Sequence, residues 1–140
     1  MAYRDLIEGL HERLRSRGWT DVRPAFGFVL LAARENGTTT TELAELMGTT
    51  KQAASKLAAT MVEAGYLTHG GDASDGRQRP LRLTRRGHRL LAAVEAIYGE
   101  LEAEWVERIG STAVERLRRD LTRSVTAVNG GRLPPVRPTW

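Results

Sequence analysis

Cysteine is absent from this 140-residue chain, which excludes disulfides, thiolate metal sites and thiol oxidation as a sensing chemistry. No apolar run approaches the ~20 residues that a bilayer-spanning helix needs. The first ten residues, MAYRDLIEGL, lack the charged-then-apolar order of a secretory signal. The expectation is a soluble cytoplasmic protein with no membrane partner. Histidines are few and scattered, at His11, His69 and His88, and none stands at a ligand spacing with nearby acids, so no metal is expected. A Gly-rich phosphate loop, a nucleophile elbow and a paired-acid site are all lacking, so neither an enzyme nor a cofactor is expected. Lysine is scarce as well. Of 21 basic side chains only Lys51 and Lys56 are lysines, and both fall in one predicted helix.

What is present is arginine, and it is unevenly placed. The net charge is +4 and the sequence pI about 10.1. From Thr49 to Arg89 eight basic residues face three acids, a surplus of five, whereas the rest of the chain is one unit negative. All the excess positive charge thus lies in the middle third, the pattern of a polyanion-binding stretch.

Helical periodicity dominates the rest of the reading. Tyr3, Leu6, Ile7, Leu10 and Leu14 mark a first amphipathic helix that ends at Arg17-Gly18. Pro24 suits the first turn of a second, running to about Glu35, whose AFGFVLLAA core predicts burial on all sides. Gly27 within it predicts a close contact or a kink. Asn36-Gly37 stops it. Two short helices follow, each opened by a capping box: Thr39 with Glu42, then Thr49 with Gln52. Tyr66-Leu67-Thr68 and Leu81-Arg82-Leu83 read as the arms of a hairpin with a Gly/Asp/Ser-rich tip, the second arm starting late because Pro80 has no ladder donor. Thr84 caps a long helix in which Leu90, Leu91, Val94, Ile97, Leu101, Trp105 and Ile109 stay in register, and a last helix from about Thr112 to Val128 carries Val114, Leu117, Leu121, Val125 and Val128 in line. The tail, GGRLPPVRPTW, is too rich in Gly and Pro for a regular element.

The pair of capped helices between Thr39 and Gly65, joined at Gly48, is a helix-turn-helix pattern. Ala44 and Ala53 are small, as two crossing helices require. The second helix offers Thr49, Thr50, Lys51, Gln52, Ser55 and Lys56 as DNA-binding candidates: Gln pairs with adenine, Lys donates to guanine or phosphate, and the helix N-terminus favours an anion. In the hairpin tip Arg77 and Arg79 suit a narrow minor groove, while Asp72 and Asp75 suit loop-shaping hydrogen bonds. His69, at the wing base, is a further phosphate candidate.

These residues resemble the MarR family of bacterial winged-helix regulators. The resemblance is carried by TTELAELMGTTKQAASKLAATMVEAGYL, by the tip DASDGR and by the LTRRG run at Leu83 to Gly87. The tip departs from the family's usual Asp-Arg-Arg, keeping one arginine of two, and the proline-rich tail is not a family hallmark. The resemblance implies a mainly α fold with a small β-hairpin wing, the winged helix-turn-helix at about 36–86 flanked by dimerisation helices at about 3–17 and 85–128, all one domain over 1–130 with a tail at 129–140. It further implies a homodimer on double-stranded DNA, a near-palindromic operator, repression, and release by a small aromatic effector. Trp19, Phe26 and Phe28 are the candidate pocket lining. Two other classes stay open: an architectural DNA binder of little sequence preference, which shares the basic stretch, and a winged helix turned to protein partners, against which the clustered charge argues.

Overall fold

The computed structural model describes residues 2–70, 80–128 and 130–131. Six helices and one hairpin follow the order α1 (Ala2–Ser16), α2 (Phe26–Ala32), α3 (Thr40–Leu46), α4 (Lys51–Glu63), β1 (Leu67–His69), β2 (Leu81–Leu83), α5 (Arg85–Ile109) and α6 (Ser111–Val128). The fold is mainly helical with a two-stranded antiparallel sheet, a winged helix built into a helical frame.

Local chemistry sets the boundaries. Gly18 and Gly37 hold φ of +85° and +82°, the left-handed conformation that stops a helix. Thr39 accepts from the Glu42 amide while the Glu42 carboxylate accepts from the Thr39 amide, a complete capping box at the start of α3. Thr84 caps α5 by accepting from Gly87 N–H at 3.0 Å.

Three boundaries differ from the sequence-based expectation, the first being β1, which runs Leu67–His69 rather than Tyr66-Leu67-Thr68. The second helix is short, Phe26–Ala32, because Pro24-Ala25 form a turn and residues 33–36 leave the helical path. It is not buried all round: Leu31 is exposed. Gly27 brings no close contact, since a Cβ there would meet nothing within 4 Å. The cap of α4 is Thr50, whose hydroxyl accepts from Ala53 N–H at 3.2 Å. Thr49 stands one residue before the cap, in the turn, where its N–H donates to the Ala44 carbonyl at 2.9 Å.

The core lies where α2, α4, β1, β2 and α5 converge, on Phe26, Val29, Leu30, Met61, Tyr66, Leu67, Leu81, Leu90 and Ile97. Helix α1 packs along α5 through Leu10 and Leu14. Gly9 permits that approach, since a Cβ there would stand 3.0 Å from a Leu101 methyl. The packing is reinforced by ion pairs from Arg13 to Glu104 and from Arg17 to Glu100 (2.7 Å). Helix α6 differs: only Val114 of its apolar stripe is buried.

Candidate nucleic-acid interface

The α3–α4 pair is positioned by small contacts. Gly48 takes φ +56° at the turn, and Ala44 of α3 and Ala54 and Ala58 of α4 are buried. Ala53, expected to face the crossing, is exposed. One residue of helix is about 100° of rotation, so burying Ala54, Ala58 and Met61 turns Ala53 outward. It also turns Gln52, Ser55 and Lys56 outward, and all three are exposed on the N-terminal half of α4; Lys51, seven residues before Ala58 and so on the packed side by rotation, is exposed in the first turn. Thr50 is exposed at the cap itself, and Thr49 is half-buried in the turn. Six candidates chosen from sequence thus occupy one helix start, five of them with donor groups in solvent, where the first-turn amides add to the attraction for an anion.

The hairpin follows α4 and packs against it. Its register pairs Leu67 with Leu83, Thr68 with Arg82 and His69 with Leu81. Gly70 N–H donates to the Pro80 carbonyl at 2.7 Å beyond β2, so Pro80 contributes an acceptor where it has no donor to give. Thr38 bridges Leu81 and adds a third, one-residue strand to the wing base. The Arg82 side chain crosses this base over Gly37 and Gly70; a Cβ at Gly70 would lie 2.8 Å from Arg82 Nε. Arg82, counted above only as part of the basic stretch, is therefore an exposed cation at the wing base, paired across the strands with Thr68; His69 is exposed there as well. Asp72, Asp75, Arg77 and Arg79 at the tip lie outside the described residues, as does the tail at 132–140.

The three aromatics proposed as a pocket lining separate. Phe26 is fully buried and meets Tyr66 edge-on at 5.9 Å. Trp19 packs tilted against Tyr66 as well, at 6.2 Å. Phe28 alone lines a cavity of about 110 Å³ between α1, α2 and α5, with Leu14, Val22, Pro24, Leu91 and Val94. His11 lines it too. Its Nε2 is buried without a hydrogen-bond partner, and burial, with Arg15 nearby, holds its pKa below the usual 6.5.

The structure also assembles a cluster that no short-range pattern announced. Tyr66 Oη donates to Asp21 Oδ1 at 2.5 Å, and Arg86 Nη2 donates to Tyr66 Oη at 3.1 Å and to Asp21 Oδ2 at 3.3 Å. The Arg86 guanidinium also stands 4.8 Å from the Tyr66 ring centre and 5.6 Å from that of Trp19. The Tyr66 hydrogen bond, then the Arg86 charge, hold the Asp21 carboxyl below its ordinary range. Burial, then the same hydrogen bond, push the Tyr66 phenol up. These residues are 45 and 20 positions apart, so only the fold brings them together.

Comparison with known proteins agrees with this geometry. Residues 24–78 match the family model described as MarR family. No curated protein sequence matches the chain significantly. Among solved structures, a Mycobacterium tuberculosis MarR family protein in complex with salicylic acid superposes with a TM-score of 0.61 at 25% identity, covering 84% of this chain and 86% of that one. MepR, a transcription regulator of the Staphylococcus aureus multidrug efflux pump MepA, gives 0.69 at 21% identity over 91% and 93% of the two chains. A MepR mutant bound to an oligodeoxyribonucleotide gives 0.63, at the same identity and coverage.

Proposed function

Because the chain carries the winged helix of the MarR family over residues 24–78, we propose that it is a sequence-specific transcriptional regulator, a repressor that binds a near-palindromic operator as a cytoplasmic homodimer. The observation that carries this reading is the exposed N-terminal half of α4, where Lys51, Gln52, Ser55 and Lys56 reach solvent from a capped helix start. Gln52 and Lys51 read base edges in the major groove; Thr49, Thr50, Ser55 and Lys56 hold the adjoining backbone. Arg77 and Arg79 enter the minor groove, with Asp72 and Asp75 shaping the tip.

Dimerisation is supported by α6. Leu117, Leu121 and Val128 are 40%, 56% and 83% exposed, and Ile109 is 55% exposed. A contiguous apolar face of this size on a lone subunit marks an association surface. Beside it, Leu6, Tyr98, Trp105, Leu117 and Leu121 line an apolar groove of about 360 Å³, shaped to receive a helix of the second copy.

Release by a small aromatic effector is supported by the cavity beside Phe28, which places one unsatisfied histidine nitrogen among aliphatic walls, and by the salicylic acid found in a structurally similar protein. The effector fits there better than between Trp19 and Phe26, whose faces are spent on Tyr66.

Selection of duplexes from a random DNA pool, followed by titration of the winner against scrambled DNA at near-physiological salt, tests the reading. A palindromic winner preferred by about 10³-fold or more is the expected result. Equal, steeply salt-dependent affinity for every duplex would instead make the chain an architectural DNA binder. Absence of binding at low salt would turn the winged helix to protein partners.

A further inference from the structure

Helix α4 leaves through Gly65 directly into Tyr66, so whatever holds Tyr66 holds the end of that helix. Its backbone is pinned to the start of α5: Thr84 N–H donates to the Tyr66 carbonyl at 3.0 Å, and the Thr84 hydroxyl donates to the Gly65 carbonyl at 2.5 Å. Its side chain is pinned elsewhere. The ring is wholly buried against Phe26 and Trp19, yet the hydroxyl reaches Asp21 on the α1–α2 connection, and Arg86 on the first turn of α5 bridges the two.

Packing alone does not need the hydroxyl, because a phenylalanine ring would fill the same space. What the hydroxyl adds is direction. Hydrogen bonds that involve a charged group are short and angle-dependent, so the tie fixes orientation where apolar contact permits slip. Both charged partners are roughly half exposed, at 44% for Arg86 and 43% for Asp21, so the tie adds little to global stability. Asp21 is also followed at once by Val22, Arg23 and Pro24, which wall the cavity beside Phe28.

We propose that Asp21, Tyr66 and Arg86 are positioning residues that set the direction of α4 relative to α1 and α5, and hence the separation of the two recognition helices in the dimer. The same joint transmits a change in the cavity wall to α4, since the wall residues and Asp21 are consecutive. This rests on the dimeric DNA-binding reading above.

The test is the affinity of Tyr66→Phe, Asp21→Asn and Arg86→Gln for the selected operator and for derivatives with one base pair added or removed between the half-sites. Each base pair moves a half-site by about 3.4 Å and rotates it by about 35°, which a rigid joint resists. Wild type is expected to reject both derivatives. The variants are expected to keep their helix content and dimeric state, to bind the best operator on the order of tenfold more weakly, and to discriminate spacing less. Unchanged affinity, or a uniform loss at every spacing with the wild-type profile retained, would overturn the proposal. Should Tyr66→Phe melt, Asp21→Asn and Arg86→Gln decide, since both sites are surface positions. If wild type binds no duplex, the regulator reading fails and the joint with it; if wild type binds and the variants behave like it, the joint alone fails.

Discussion

Gly87 stands so close to the Tyr66 carbonyl that a Cβ added to it would lie 2.2 Å from that oxygen. The contact belongs to backbone on both sides, so no flexible side chain can yield. Gly87→Ala is expected to force α5 away from the end of α4 and to destabilise the chain by about 1–3 kcal/mol or more. Thermal unfolding checks this, and an unchanged midpoint would mean that the α5 start tolerates displacement.

Thr50 has two duties, one structural and one at the interface. Thr50→Ala removes the cap of α4 and is expected to lower stability by about 1 kcal/mol. Thr50→Ser keeps the hydroxyl and should unfold like wild type. If the alanine and serine variants unfold alike, the cap is not what holds the helix start.

At the exposed start of α4, Gln52→Ala and Lys51→Ala are expected to change which base is preferred, by about 1–3 kcal/mol at the affected pair. Arg77→Ala should weaken binding while leaving the dimer intact. Titration against a panel of single-base operator variants separates these effects. Unaltered preference in both α4 variants would move the reading helix elsewhere.

The exposed stripe of α6 predicts a charge-sensitive assembly. Leu121→Arg places a cation on a residue 56% exposed in the single chain, where it harms the subunit little but opposes burial against a second copy. Sedimentation equilibrium is expected to show monomers, with operator affinity falling in parallel. A dimer that persists would exclude this stripe as its core.

His11 makes stability depend on mild acid. Burial, with Arg15 close by, favours its neutral form, so its pKa in the folded chain lies below the unfolded value of 6.5. Its contribution is therefore complete above about pH 6.5 and is lost as pH falls through the lowered folded value. Between pH 7 and 5 the melting temperature of wild type should fall more than that of His11→Leu. Parallel curves would show that the ring titrates as if in water.

Much of the molecule was legible because its signals are local. A cap, a glycine stop and a repeating apolar position act within a few residues, so Thr39, Thr84, Gly18, Gly37 and the hairpin arms could be found by inspection. Even the shift of the α4 cap from Thr49 to Thr50 is a one-residue difference within the same turn. The sequence by itself determined the order of elements, the basic middle third and the donor-rich start of α4. Tertiary structure decided what depends on distant parts meeting. It rotated α4 so that Ala54 rather than Ala53 is buried, and it left the α6 stripe uncovered. It sent Phe28 to a cavity while Phe26 and Trp19 went to Tyr66. It also joined Asp21, Tyr66 and Arg86. Periodicity states that a face is apolar, but not which neighbour covers it. Hydrogen bonds across 45 residues leave no trace in either partner's immediate surroundings.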